Sequence, residues 1–348
     1  MSPASRMRGL LSPLVPAYRL ALLLREMRLD TALEPVRRLR WPVVSIGNLS
    51  TGGAGKTPLT VALAKALTQR GCYVDVLSRG YGRKGSHPAR VLPEGTAEQF
   101  GDEPLLITRA TGVPVYVARQ RFLAGMLAEA DAPDGVSPVH RSAIHLLDDG
   151  FQHRQLHRDV DILILDGHDW LEEGLLPAGN LREPIEAARR ATIIAIPAPG
   201  DASEMEAALR AWGFSGPVWR LHRRMQLPSS IGMGTGPVCA FCGIARPEQF
   251  FAGLENAGLH LGARIVFPDH HLYTEADLKR LIARAERAGA TALITTEKDF
   301  VRLGGFAMAI SEALPLKTVS LQVEIEHANQ AVEWLMDWLK STATQRPL

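Results

Sequence analysis

Apolar residues fall along this chain in short dense runs, several of which end at a glycine or an acid. "WPVVSIGNLS" (41–50) has the make-up of a strand buried on both faces. "PLTVALAKALTQRG" then spaces its apolar positions for a helix, with Pro58 in the first turn and Gly71 at the end. "CYVDVLSRGYG" predicts a second strand that runs out into a loop. "VPVYVA" (113–118) predicts a strand and "RFLAGMLAEA" (121–130) a helix. "AIHLLDD" (143–149), "VDILILD" (160–166) and "ATIIAIP" (191–197) are three further buried runs. Strands alternating with helices predict an α/β fold with a doubly wound, mostly parallel sheet.

Ahead of this pattern, residues 17–29 read as an amphipathic helix, with leucines on one side and Arg19, Arg25 and Arg28 elsewhere. Packing on its own domain and lying on an anionic membrane surface both suit such a helix. Around 200–236 the texture turns to Gly, Pro and Ser, and "LPSSIGMGTGP" is the expected seam. "VCAFCGI", a helix at 247–258, "ARIVFPDHH", a helix at 274–288, "ATALITTEKD" and a final helix at 328–340 form a second, smaller α/β unit. The expected division is an N-terminal helical segment (1–40), a first domain (41–225) and a C-terminal domain (226–348). The final helix is a candidate to pack back on the first domain.

A chain of 348 residues has the length of about two domains. Aromatics are only 6%, which argues against a base-stacking nucleic-acid surface. The net charge of +2 hides a local excess: residues 1–40 carry eight Arg against Glu26, Asp30 and Glu34. That +5 leaves −3 for the rest, so any anionic partner is expected at the N-terminal segment. Cys72, Cys239 and Cys242 are too few for a disulfide framework and suit a reducing compartment. Cys239-x-x-Cys242 lacks a second pair at zinc spacing and reads as part of a buried strand. No apolar run reaches the ~18 residues of a membrane span, and Pro13, Pro16 and Arg19 interrupt the N-terminus too often for a secretory signal.

"GNLSTGGAGKTP" (47–58) carries the chemistry. It matches the phosphate-binding pattern G-x-x-x-x-G-K-[ST] except that Ser50 stands at the first glycine. Ser50, Thr51, Gly52, Gly53, Ala54, Gly55, Lys56 and Thr57 are the candidate nucleotide loop. Its glycines let backbone N–H groups wrap a triphosphate. Lys56 would reach the β- and γ-phosphates, the Thr57 hydroxyl would ligate Mg²⁺, and the helix N-terminus would face the anion. The fold class expected is therefore P-loop NTPase-like. Such a site needs a carboxylate at the end of a neighbouring strand. "IHLLDDGFQH" offers Asp148, preferred for magnesium, and Asp149, left to substrate; Asp166 competes.

The blocks "SIGNLSTGGAGKTP", "SRGYGRK", "GDEPLLI", "LLDDGFQHRQLHRDVDILILD", "LLPAGNLREP", "FPDHHLYTEADL" and "TTEKDFVRL" resemble, in order, those of the tetraacyldisaccharide 4'-kinase (lipid A 4'-kinase) family. They span residues 43–303. In that family a Ser or Thr also replaces the first loop glycine. The resemblance implies transfer of the ATP γ-phosphoryl group to the 4'-hydroxyl of tetraacyldisaccharide 1-phosphate, giving lipid IVA. It implies a peripheral protein on the cytoplasmic face of the bacterial inner membrane, held there by its N-terminal helix. ATP, the glycolipid and the membrane surface are then the partners; no nucleic acid and no obligate protein partner are expected.

By the same resemblance, Asp102 is the proposed base and His270 its partner; Glu103 is then a magnesium ligand or a residue supporting one from behind. Alone, "GDEP" reads as a helix start and "DHH" as a loop with a buried histidine. Arg79, Arg119, Arg121 and Arg182 are candidates for the acceptor's 1-phosphate, or surface arginines. Tyr81, Gln152, His153 and Glu183 are candidates for the sugar rings, and Asp149 for the lipid substrate or for supporting contacts. Asn180 departs from the family's usual proline, and Gln120 from a common acid. Two other readings compete. "TGGAGKT" also resembles the loop of partition and targeting ATPases, which carry lysine where this chain has Thr51. A carboxylate-activating P-loop synthetase is the third reading.

Overall fold

The apolar runs become the inner strands of one sheet. The computed structural model describes residues 11–31, 34–53, 55–134, 136, 143–166, 174–198, 202–228 and 236–343. Ala54 and residues 229–235 of the expected seam lie outside the described residues. The strands are β1 (Val43–Asn48), β2 (Tyr73–Ser78), β3 (Ala89–Arg90), β4 (Val115–Val117), β5 (Ala143–Asp148), β6 (Val160–Ile164), β7 (Ile193–Ala198), β8 (Val218–Gln226), β9 (Val238–Cys242), β10 (Leu261–Val266), β11 (Ala292–Thr296) and β12 (Leu316–Ile325). Their order across the sheet is β10-β9-β11-β12-β8-β7-β6-β1-β5-β2-β4-β3. The pairs from β8 to β4 are parallel, as are those from β10 to β12. Two antiparallel pairs remain: the edge β3–β4 and the junction β8–β12.

The apolar pattern does not announce β8 or β12. In β8, "VWRLHRRMQ", apolar and basic residues alternate beside a Gly- and Pro-rich stretch, so only half of its positions resemble a buried strand. The expected boundary at 226 falls at the end of β8. There the strand direction reverses and a second parallel set begins.

Helices cover both faces. We number those that matter here α1 (Val15–Asp30), α2 (Lys56–Gln69), α3 (Asp102–Thr111), α4 (Arg121–Ala130), α5 (Ala202–Ala211), α6 (Pro247–Asn256), α7 (Glu275–Arg287), α8 (Glu297–Leu303), α9 (Phe306–Ala313) and α10 (Ala328–Ala343). One face packs Leu59, Leu63 and Leu67 of α2 against Ile46, Leu146 and Ile162. Val332, Leu335 and Leu339 of α10 join the same core, so the last helix lies against the first half of the sheet. Cys239 and Cys242 sit on opposite faces of β9, in two different apolar clusters. Side chains three apart in a strand point opposite ways, which is why this pair is core and not a chelate. No helix among the described residues is long and apolar enough to cross a membrane.

Candidate active site

Parallel strands present their ligand-binding loops at their carboxyl ends. The loop after β1 leads directly into α2. Gly52 and Gly55 take φ of 116° and 91°, values that require glycine. Ser50 is buried, and among the described residues the non-glycines at positive φ are Asp149, His270 and His327. Ser50 therefore replaces the usual glycine without strain. The Asn180 carbonyl accepts the N–H of Thr51 at 2.8 Å and braces the loop through the backbone, a bond that a proline at this position would also accept. Lys56 Nζ donates to Asn48 Oδ1 at 3.0 Å and lies 3.5 Å from Asp149 Oδ1.

Beside this loop stand three carboxylates. Asp148, at the end of β5, is buried and accepts from Thr60 Oγ1 at 3.1 Å. Burial first, then the charges of Glu103 and Asp149, hold its carboxyl above the ordinary carboxylate range. This is a site short of positive charge. Asp149 is the opposite case: burial pushes it up, but Lys56 and Arg182 outweigh that and bring it down to about 2. No cluster of three or more His, Cys, Asp or Glu able to hold a metal occurs among the described residues. Thr57, Asp148 and Glu103 line one cleft and suit a hard cation completed by phosphate oxygens and water.

Arg182 differs from its expected use. Its guanidinium grips Asp149 at 3.0 and 3.1 Å and donates to Asn48 Oδ1 at 2.8 Å, Gln152 Oε1 at 3.2 Å and the Ser50 carbonyl at 3.1 Å. It therefore braces the phosphate loop. Glu183 is buried and paired with Arg190, with Arg25 of α1 at 3.9 Å. Tyr18 of α1 donates to the Arg182 carbonyl at 2.9 Å. These contacts dock α1 on the rim of the site.

The opposite wall comes from the second half of the sheet. A cleft of about 1500 Å³ runs between the halves, with β8 and β12 among its lining. Across it, Asp102 Oδ2 meets His270 Nδ1 at 3.1 Å and Arg302 Nε at 2.7 Å. Glu103 pairs with Lys298 at 2.5 Å. Burial would raise the Asp102 carboxyl, but the His270 hydrogen bond and the charges of Arg302 and Lys298 hold it far below the usual range. The hydrogen bond to Asp102 in turn raises His270 above the ordinary imidazole value. Asp102, expected as the base, is buried, whereas its expected partner His270 lines the cleft, so the imidazole and not the carboxylate is the group presented to a ligand. The Tyr81 ring leans on it with centroids 5.1 Å apart. His270 and Asp149 both hold φ in the left-handed region, at 59° and 52°. Strained backbone of this kind collects at functional sites.

Arg121 and His153 line the same cleft. Arg121 opens α4 and is buried, and its Nε has no hydrogen-bond partner. Burial and neighbouring guanidinium charges lower both groups. Burial with the charges of Arg121, Arg158 and Arg25 drops His153 to about 3, and burial with Arg79 drops Arg121 to about 10. Such a pocket favours an anion. Tyr18, Leu22 and Arg25 of α1 face the cleft, while Leu20, Leu23, Leu24 and Met27 are half exposed on its outer side.

The family model for tetraacyldisaccharide-1-P 4'-kinase (LpxK) matches residues 7–340. The chain belongs to this family. A tetraacyldisaccharide 4'-kinase of Koribacter versatilis is 37% identical over 331 residues, covering 93% of this chain and 97% of the relative. One from Geobacter metallireducens is 38% identical over 308 residues, covering 85% and 88%. Among solved structures, LpxK from Aquifex aeolicus in complex with ATP matches with a TM-score of 0.72 and 29% identity, covering 96% of this chain and 99% of that one.

In this kinase family member, Asn48, Lys298 and Arg302 contact the candidate site residues Lys56, Glu103 and Asp102, and none of the three was singled out from the sequence. Lys298 and Arg302 stand four apart in "TTEKDFVRL", on one face of α8. That spacing was the available signal. Asn48 offered none, since its role depends on Lys56 and Arg182 converging on one oxygen.

Proposed function

We propose that this ATP-dependent kinase transfers the γ-phosphoryl group to the 4'-hydroxyl of tetraacyldisaccharide 1-phosphate, and that the cleft between the two halves of the sheet is where transfer occurs. The 4'-oxygen attacks the γ-phosphorus, the bond to the β–γ bridging oxygen breaks, and ADP leaves. The hydroxyl proton passes to His270, whose ring is oriented and whose charge is stabilised by Asp102. Lys56 and the loop N–H groups neutralise the phosphates. Thr57, Asp148 and Glu103 would hold Mg²⁺, which when bound draws charge from the phosphate oxygens. The excess negative charge around Asp148 supports that assignment. Arg121, with His153 near it and Tyr81 in the same cleft, receives an anionic or hydroxylated part of the glycolipid.

The observation that carries this reading is the pairing of Asp102 with His270 across a cleft whose other wall is the Lys56 loop. A nucleotide switch of the partition type has no need of a base opposite its phosphate loop. The outer leucines of α1, flanked by Arg19 and Arg28, support peripheral attachment to an anionic membrane, such as the inner membrane's cytoplasmic face. The test is incubation of the purified protein with ATP, Mg²⁺ and the disaccharide 1-phosphate in detergent. Mass spectrometry should find a bis-phosphorylated lipid; its absence with intact enzyme rejects the reading.

A further inference from the structure

Arg302 is held on every side. Its side chain is almost fully buried and its donors reach both halves of the cleft. Nε donates to Asp102 Oδ2 at 2.7 Å, and Nη2 lies 2.6 Å from the same oxygen, an ion-pair contact without hydrogen-bond geometry. Nη1 donates to the Gly243 carbonyl at 2.6 Å and to Asp299 Oδ1 at 3.1 Å. The Gly243 carbonyl also receives the backbone N–H of His270, at 3.3 Å. Asp299, fully buried, fixes this arrangement from behind: it accepts from the Gly243 N–H, Tyr273 Oη and Thr296 Oγ1 at 3.0, 2.9 and 2.6 Å. A Cβ at Gly243 would stand 2.9 Å from the Pro268 carbonyl, so the loop admits only glycine as it stands.

We infer that Arg302 is a positioning residue for the phosphoryl transfer: one planar guanidinium fixes the Asp102 carboxylate from the first half and the His270-bearing loop from the second, so that the pair meets only in the closed cleft. The inference rests on the kinase reading above. A guanidinium is needed because its donors point in fixed, separate directions, whereas an ammonium is a point charge. Arg302 does not line the cleft; it acts through Asp102 and the loop that carries His270.

The test compares Arg302→Lys and Arg302→Gln with wild type, each also in an Asp102→Asn background. Arg302→Gln should lose about 10²-fold in kcat, and Arg302→Lys about tenfold, with KM for ATP unchanged. In the Asp102→Asn background the same substitutions should cost clearly less than in wild type, because the path through Asp102 is already broken and only the hold on the His270 loop is left to lose. Wild-type kcat in either folded variant, or an undiminished loss in the Asp102→Asn background, would overturn the inference. Should Arg302→Gln not fold, the lysine variant and its double mutant apply the same criteria. A second readout needs no substrate. In ¹⁵N-histidine spectra, the His270 ring proton bonded to Asp102, assigned by its absence in His270→Gln, should shift or vanish in Arg302→Lys. An unmoved signal refutes the positioning role even if no lipid product is ever found, which separates this failure from failure of the kinase reading.

Discussion

Asp102 and His270 lie 168 residues apart in the chain and meet at 3.1 Å across the cleft. The contact sets the direction of proton flow. The carboxylate is held ionised by Arg302 and Lys298, so it does not keep a proton near neutrality, and the imidazole it faces binds one more tightly. A base must be unprotonated to act, so kcat/KM should rise with pH through a limb above the ordinary histidine value of about 6.5. Asp102→Asn removes the cause of the upward shift, and the limb should move to lower pH as the amplitude drops. A pH–rate profile of both enzymes decides this; an unmoved limb contradicts the pairing.

Arg182 bears on the nucleotide. Its hydrogen bonds run to Asp149, Asn48 and the Ser50 carbonyl, all at the phosphate loop. Arg182→Lys cannot reproduce the fork, and charge-assisted bonds of this type are worth about 1.5–3 kcal/mol. KM for ATP should rise by about tenfold while KM for the glycolipid stays within about twofold. Steady-state titration of each substrate separates the two, and a rise confined to the glycolipid would return Arg182 to the acceptor.

The outer face of α1 should govern attachment without governing chemistry. Leu23 and Leu24 are half exposed, and each leucine buried in an acyl boundary contributes about 1.5–3 kcal/mol. Leu23→Glu with Leu24→Glu should weaken partition onto anionic vesicles at least about tenfold, measured by co-sedimentation. Turnover of detergent-dispersed acceptor should persist. Unchanged sedimentation removes α1 from the membrane contact.

A buried histidine away from the cleft ties stability to pH. His145 lies between Asp75, at 2.7 Å, and Glu129, at 3.4 Å, and stacks on Trp41. Burial lowers its basicity, but the two carboxylates outweigh this and raise it to about 9. The folded value exceeds the unfolded one of about 6.5, so the stabilisation is complete below about 6.5 and is lost as pH rises through about 9. Glu129 also receives the N–H groups of Arg40 and Trp41, so this pin fastens the entry to β1. The melting-temperature gap between wild type and His145→Gln should therefore be widest below pH ~6.5 and narrow above pH ~9. A gap constant across that range would mean that His145 is neutral in the fold.

Local chemistry was legible in the residues themselves; long-range partnership was not, and the Asp102–His270 pair was expected only through the family resemblance. The run "VVSIGN", the loop glycines and Lys56-Thr57 declare a strand, a phosphate cradle and a helix start within fifteen residues or so, because each depends on its neighbours. Arg121–Ala130 was readable to the residue from its apolar spacing. The β8–β12 junction pairs residues nearly a hundred positions apart, and neither strand is apolar enough to announce itself. Arg302 is the same case in the site: nothing in "EKDFVRL" says that the arginine will meet a carboxylate 200 residues upstream. The role offered to Arg182 followed from its charge alone, and its neighbours redirect that charge to Asp149.

The central claim is that His270, backed by Asp102, takes the proton of an acceptor hydroxyl while the Lys56 loop holds the triphosphate. Single-turnover transfer of label from γ-labelled ATP to the disaccharide 1-phosphate, in wild type and His270→Ala, tests it most directly. The account predicts label at the 4'-position in wild type, a rate lower by about 10²–10⁴-fold in His270→Ala, and equal ATP binding in both. Label released only as inorganic phosphate, or transferred at equal rates by both proteins, would contradict it.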